Sequence, residues 1–406
     1  MRTTRSPEST LQLTLREIAR SGEVSLAALS RRLTLKPSTL EEKVRALHQK
    51  GLVGLVSYTD GGKKVAVNAS FGHVVGIDMG ASNLRFALAD FCGDFLAHTT
   101  EKVRPEDGPR RMIAQIKRGV RRLALAASAS AHPPVPKRGT PSRSSPGRLR
   151  ALAIGVPSPV DPRSGLVALA NNLPGWKNVD LRRALEKEFR VPVYLENDGN
   201  MAATGEHWRG VARDASSFVF IALGTGIGSG IFIDGKLHRG RTGNAGELYH
   251  LNLEWPRWDE DFGEVGYFES QVSGLGIAAA GRKILGPPAE AQRATLAEER
   301  DARFVFEAAR QGNCKARAIL EKAFTMMGVA VADLVTILDP DLIVFGGGLA
   351  KGEPELLLDT VTRVVARIHR DPPPVRLSSL GDKAQTYGAI VSALTLAHEA
   401  IIRRLE

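Results

Sequence analysis

Residues 216–235 read SSFVFIALGTGIGSGIFIDG, two apolar runs on either side of the glycine-rich stretch Leu223-Gly224-Thr225-Gly226-Ile227-Gly228-Ser229-Gly230. Apolar runs of this length bounded by turn residues read as strands, and the glycines between them as a hairpin. Glycine also lets backbone amides approach an anion closely; an ordinary tight hairpin is the other reading of the same residues. The pattern recurs. Gly76-Ile77-Asp78-Met79-Gly80-Ala81-Ser82-Asn83 has the same strand–turn–strand setting, and Gly346-Gly347-Gly348 follows the apolar run at 342–345. Around these turns VVGIDMG (74–80), LRFALADF (84–91) and FLAHTTEKV (95–103) read as three consecutive antiparallel strands. LRALAIGVPSPV (149–160) and LDPDLIVFGGGLA (338–350) supply later strands. Two βββαβα-like halves with glycine turns on matching strands predict a duplicated α/β fold with a cleft between its lobes.

The chain has 406 residues, 43% of them hydrophobic and 24% charged, enough for two or three folded domains. No apolar run reaches the length of a membrane span, so no membrane partner is expected. MRTTRSPEST at the start lacks the apolar segment of a secretory signal. Cys92 and Cys314 are the two cysteines, far apart and without metal-type spacing, which suits a reducing, cytoplasmic setting. The net charge of +11 is unevenly spread: residues 1–70 carry 12 Lys/Arg against 6 Asp/Glu, and residues 101–150 carry 13 against 3. A basic N-terminal module on an acidic body points to a polyanion.

That module reads as three helices and a hairpin. Leu11, Leu15 and Ile18 make one apolar stripe, Ser25 caps a second helix, and Pro37 opens a third that ends near Gly51. Two strands then flank Asp60-Gly61-Gly62. The pattern predicts a winged helix-turn-helix over 1–70. In the third helix Leu40, Val44 and Leu47 face inward, leaving Ser38, Thr39, Glu42, Arg45 and Gln49 as candidate base readers, with Lys63 and Lys64 for phosphates. A helical docking module without DNA is the alternative, and Glu41 and Glu42 speak for it. The Pro-, Ser- and Arg-rich segment 126–148 reads as a disordered insertion, either solvated or touching DNA.

A separate polar set suits a polyol. Asn172 lies in a polar turn before Trp176, and Asn197 and Asp198 follow the strand-like VPVYL. Glu247 and His250 are three residues apart, and Glu269 follows a glycine turn. Carboxylates accept strongly from hydroxyls, but each net bond contributes only about 0.5–1.5 kcal/mol, so several must converge.

Together these turns and polar groups resemble the nucleotide clamp of the actin/hexokinase superfamily. Within it the chain resembles the ROK family of repressors, open reading frames and sugar kinases, including regulators of the xylose-repressor and N-acetylglucosamine-repressor type. The resemblance spans about residues 71–400. It implies a two-lobed, ribonuclease H-like, sugar-binding ROK domain over 71–406, behind the DNA-binding module at 1–70. The family's hexose contacts fall on Asn172, Asn197, Asp198, Glu247, His250 and Glu269, and in its kinases the residue matching Asp198 is the general base. Its nucleotide-phosphate contacts fall, in degenerate form, on Asp78, Gly80, Ser82, Gly224, Thr225, Gly226, Gly346 and Gly347. GVPSPVD (155–161) resembles the family's glycine-proline loop, with Ser158 in place of a glycine. Two departures stand out. The kinase pattern D-x-G-G-T-K is here Asp78-Met79-Gly80-Ala81-Ser82-Asn83, which loses a glycine and a cation. The three cysteines of the family's zinc segment are replaced by Glu260, Phe262 and Tyr267, so no zinc is expected and aromatic packing is the expected substitute.

The leading expectation is a cytoplasmic, sugar-responsive DNA-binding regulator of the repressor type, whose partners are operator DNA, a small sugar and further copies of itself as a dimer or tetramer. The sequence assigns this reading no definite cofactor. The alternative is a hexose kinase using ATP and Mg, with an appended DNA-binding module, supported by Asp198 and the complete second glycine turn. A scaffold binding neither ligand fits the polar set least.

Overall fold

The computed structural model describes residues 8–57, 63–80, 82–129, 148–161, 164–169, 173–286 and 301–405. Helix α1 (Thr10–Ser21) starts at a reciprocal cap: the Ser9 side chain accepts from the Gln12 amide, and the Gln12 side chain accepts from the Ser9 amide at 2.7 Å. Strand β1 (Val24–Ser25) follows, then α2 (Leu26–Leu33), whose first turn is capped by Ser25 Oγ accepting from Ala28 N–H at 3.2 Å. Helix α3 (Pro37–Gln49) buries Leu40, Val44 and Leu47; Lys36 at its N-cap offers no side-chain bond, and Pro37 fixes the entry instead. Strands β2 (Val53–Ser57) and β3 (Lys63–Val67) pair antiparallel, and β1 adds to β3 in the register Val24↔Val65. Three helices and a three-stranded wing of order β1-β3-β2 make the winged helix. The expected hairpin tip, Asp60-Gly61-Gly62, lies outside the described residues.

Next come β4 (His73–Met79), β5 (Asn83–Asp90), β6 (Phe95–Lys102), α4 (Gly108–Ala129) and β7 (Leu149–Val156). A small ribbon of β8 (Val167–Leu169) and β9 (Lys177–Val179), α5 (Leu181–Phe189) and β10 (Val193–Asn197) complete this series. The sheet has the order β10-β7-β4-β5-β6, with β4, β5 and β6 antiparallel in sequence as expected. Central β4 is buried at every residue, whereas edge strand β6 alternates between half-buried and exposed. Helix α4 packs on β5 so closely that a Cβ on Gly119 would lie 2.5 Å from the Phe86 ring. Residues 126–129 continue this helix; the rest of the expected insertion, 130–147, lies outside the described residues.

The second series runs α6 (Asp198–Arg209), β11 (Phe218–Leu223), β12 (Ile227–Ile233), β13 (Lys236–His238), α7 (Tyr267–Val272), α8 (Gly274–Leu285), α9 (Arg303–Arg310) and α10 (Cys314–Leu338). It ends with β14 (Leu342–Gly346), α11 (Gly348–Gly352), α12 (Pro354–Ile368), β15 (Val375–Leu377) and α13 (Ala384–Ile402). Its sheet order, β13-β12-β11-β14-β15, is that of the first sheet with corresponding strands in corresponding places. The duplication read from the glycine turns is real. Period-two alternation divides the second core: Val219, Ile221 and Leu223 face helices α8, α10 and α12, while Phe218 and Phe220 face Ala202 and Ala203 of α6.

The chain divides into two compact units, one of residues 1–157, 165–196 and 389–406, the other of 158–164 and 197–388. Helix α13 begins in the second unit and ends in the first. Its first turns lie on α6, where a Cβ on Gly388 would meet Met201 O and one on Gly205 would meet Ala384 O. Its later turns cover β4, where a Cβ on Gly76 would lie 2.9 Å from the Ile390 amide nitrogen. Within the first unit α13 also holds the winged helix: Arg16 bridges Glu8 and Glu399, and Gln12 Nε2 donates to Ile402 O at 3.0 Å. No helix among the described residues is long and apolar enough to cross a membrane.

Candidate functional site

The second unit gathers three of the candidate carboxylates. Strand β10 ends at Asn197 and α6 starts at Asp198, so the two sit at a strand-to-helix junction. Asn197 Oδ1 accepts from the amides of Gly199 (2.9 Å) and Asn200 (3.2 Å), which makes it the N-cap of α6. A Cβ on Gly199 would lie 2.6 Å from Ser229 O, so α6 rests directly on β12. That approach brings Asp198 to Gly228, where a Cβ would sit 3.8 Å from Asp198 Oδ1.

Glu247 precedes a 3-10 turn, Leu248–His250, and Glu269 lies in the first turn of α7. Burial first, then the charges of Asp198 and Glu269, push the Glu247 carboxyl up to about 7. Burial also raises Glu269, partly offset by the Ile227 amide, which donates to Glu269 Oε2 at 2.6 Å. The same oxygen stands 2.5 Å from where a Cβ on Gly226 would be, so this glycine is required by the carboxylate behind it. Three acidic groups in one electrostatic neighbourhood form an acceptor cluster suited to vicinal hydroxyls. His250 shares the Glu247 turn, but it is exposed, with its ring centroid 4.0 Å from that of Tyr249. Asn172 lies outside the described residues.

The glycine turns fall as expected at strand ends. Gly224 N–H donates to Gly226 O at 3.0 Å, and the carbonyls of Gly224 and Thr225 accept from Gly274 and Leu275 at the start of α8. Gly346 ends β14 beside Ala222 of β11. Gly347, at φ 90°, lies so near that a Cβ would be 2.2 Å from Leu223 O. The two turns of the second unit therefore adjoin. The first-unit turn is different. Asp78 is 1% exposed and its Oδ2 lies 2.7 Å from Arg85 Nη1, directly across the β4–β5 ladder. Gly80 N–H donates to Asn83 O at 2.9 Å, and Ser82 is exposed with its carbonyl accepting from Val103. A metal–nucleotide complex at this turn would need a free carboxylate and a free amide. The residues present do not fit it.

Zinc fares likewise. Arg257 forms two bonds to Glu260, at 2.8 and 2.6 Å, and its guanidinium lies 4.9 Å from the centre of the Phe262 ring. Phe262 and Tyr267 meet edge to face at 5.1 Å. An arginine–glutamate–aromatic cluster thus fills the segment where the family has its cysteines. Among the described residues no group of three or more His, Cys, Asp or Glu is placed to hold a metal ion.

On the winged helix Ser38, Glu42, Arg45 and Gln49 are exposed along one side of α3, and Thr39 is half-buried. Lys64 pairs with Glu23 at 3.3 Å; Lys63 opens β3, and its side chain lies outside the described residues. Three residues were not singled out by sequence reasoning. Arg85 looks like any outward residue of a strand, and only the register reveals its partner. Buried Ser229 donates its hydroxyl to Gly246 O, fixing the segment ahead of Glu247. Fully buried Glu206 accepts from Ser378 Oγ and Val211 N–H, and nothing in its sequence setting signals that.

Duplicated sheets with glycine turns at matching strand ends, behind a winged helix, define an actin/hexokinase-like protein with a winged-helix N-terminal module. The ROK family model matches residues 140–397, and the chain belongs to the ROK family. The xylose repressor of Caldicellulosiruptor bescii is 27% identical over 399 residues, covering 94% of this chain and 94% of that protein. A ROK family glucokinase from Streptomyces griseus, solved with glucose and AMPPNP, is 26% identical with a TM-score of 0.61, covering 80% of this chain and 100% of its own. A solved ROK family transcriptional regulator, a homologue of the E. coli MLC protein, has a TM-score of 0.77 over 97% of both chains at 20% identity, a likeness of fold.

Proposed function

We propose that this protein is a sugar-responsive transcriptional repressor: residues 1–70 hold operator DNA, and a sugar bound by residues of the 71–406 domain changes that hold. The observation that carries the reading is the winged helix, with the exposed polar face of α3 and its attachment to α13. The match to a repressor runs through this module, whereas the glucokinase is covered in full by four-fifths of the chain. Asn172, Asn197, Asp198, Glu247, His250 and Glu269 are the proposed sugar contacts, with the Asp198–Glu247–Glu269 cluster at their centre. Ser38, Thr39, Glu42, Arg45 and Gln49 are the proposed base readers, with Lys63 and Lys64 on phosphates.

The physical requirement is linkage. A sugar shifts DNA binding only by as much as it prefers one conformation over the other. A regulator of this kind acts in the cytoplasm, and as a homo-oligomer it reads a palindromic operator. Asp198 keeps a kinase reading in view, because a base at a strand end could deprotonate a sugar hydroxyl. One experiment separates the two. DNA binding is titrated against a sugar panel beside an ADP-release assay with the same sugars. Expected are sugar-dependent DNA release, lost in Asp198→Asn, uniform weakening and a flatter salt slope in Lys64→Ala, and relaxed base preference in Arg45→Ala. Turnover of about 1–100 per second that vanishes in Asp198→Asn would instead make the chain a kinase.

A further inference from the structure

The first glycine turn departs from a nucleotide site in charge as well as in shape. Asp78 is the next-to-last residue of a strand buried along its whole length, and its carboxylate is almost wholly withdrawn from solvent. A buried carboxylate needs a counter-charge or donors that compensate for its lost hydration. Arg85 provides both from the neighbouring strand, in the register Asp78↔Arg85, with its side chain 37% exposed. Arginine does not lose its proton in a protein, so this charge is permanent. A divalent cation reaching Asp78 would have to displace the guanidinium or sit beside it against like-charge repulsion. The turn is also closed on itself: the Gly80 amide is already given to Asn83 O.

We propose that Arg85 is the fixed counter-charge of Asp78 in place of a divalent cation, so that the first glycine turn takes no metal–nucleotide complex and sugar alone sets the state of the regulator. The proposal rests on the repressor reading for its last clause and on the ion pair for the rest. Arg85 is here a positioning residue, neutralising Asp78 and holding the β4–β5 turn shut.

The test uses the full chain with Mn²⁺ and AMPPNP, following bound Mn²⁺ by electron paramagnetic resonance. The unmodified protein is expected to bind no stoichiometric Mn²⁺·AMPPNP. Arg85→Gln, which keeps a polar side chain but removes the charge, should gain that binding by about tenfold or more. Asp78→Asn added to Arg85→Gln should remove the gain. Stoichiometric binding by the unmodified protein that Asp78→Asn abolishes would overturn the proposal, as would a folded Arg85→Gln variant without a gain. The unmodified chain gives a second readout that depends on no variant. Sugar-dependent DNA release should have the same midpoint in EDTA as in Mg-ATP, and a requirement for Mg-ATP would overturn the proposal. DNA that no sugar releases in either condition would sink the repressor reading instead, while the Mn²⁺ titration still decides the role of Arg85.

Discussion

Glu247 shares its surroundings with Asp198 and Glu269, and its carboxyl titrates near 7. A sugar hydroxyl donates to a carboxylate, so a sugar held at this proposed contact favours the ionised form. Below pH 7 the free protein holds Glu247 protonated, and sugar affinity should fall by about tenfold per pH unit, levelling above pH 7. Calorimetric titration across that range should show the slope, and Glu247→Gln should flatten it; an undiminished slope in that variant would remove Glu247 from the contact. Folding runs the other way. A carboxyl raised above its ordinary value contributes stability below that value and loses it as pH rises through about 7. Asp198, Glu247 and Glu269 were legible in the sequence because each lies next to a turn where a polar side chain has no core to join. Arg85 was not, since a strand's own pattern says nothing about which residue stands across the ladder.

The segment from Glu254 to Glu269 shows the same limit at the scale of an element. Its lack of cysteines could be read directly, and so could the aromatic pair Phe262 and Tyr267. The role of Arg257 could not, because a guanidinium that binds Glu260 and faces a ring acts through geometry that spacing does not encode. Arg257→Ala should loosen this loop, seen as faster amide exchange over residues 254–266, while chelator leaves the unmodified protein's melting temperature unchanged. A chelator-induced drop would reveal a metal that this cluster cannot hold. The helices of the winged module were legible from their end residues: Ser25 and Pro37 mark starts that the folded chain uses. Strand β1 was not, being two residues long with one of them doubling as the cap of α2.

Across the whole molecule the duplication was readable because glycine turns recur on matching strands. The division of helix α13 between two units was not, for its apolar residues carry no mark of which partner each one meets. His398, on the part that belongs to the first unit, packs edge-on against Phe91 with ring centroids 4.6 Å apart. Burial holds its imidazole down to about 4. A depressed histidine contributes stability above its ordinary value of 6.5 and loses it as pH falls through about 4. The first unit should therefore weaken by about 3 kcal/mol between neutral pH and pH 4. Denaturant unfolding at the two pH values should show that loss, and His398→Leu should be markedly less sensitive to acid. The same arrangement sets an order of events during synthesis. Residues 389–406, which complete the first unit, are made only after residues 197–388. At about 5–20 residues per second, the ribosome needs roughly 10–50 s to pass from the end of β7 to that segment. Through that interval the nascent first unit has β4 uncovered along Gly76, and α1 waits for Glu399 and Ile402. The winged module, made well before residues 389–406, is thus among the last parts of the protein to be fastened down.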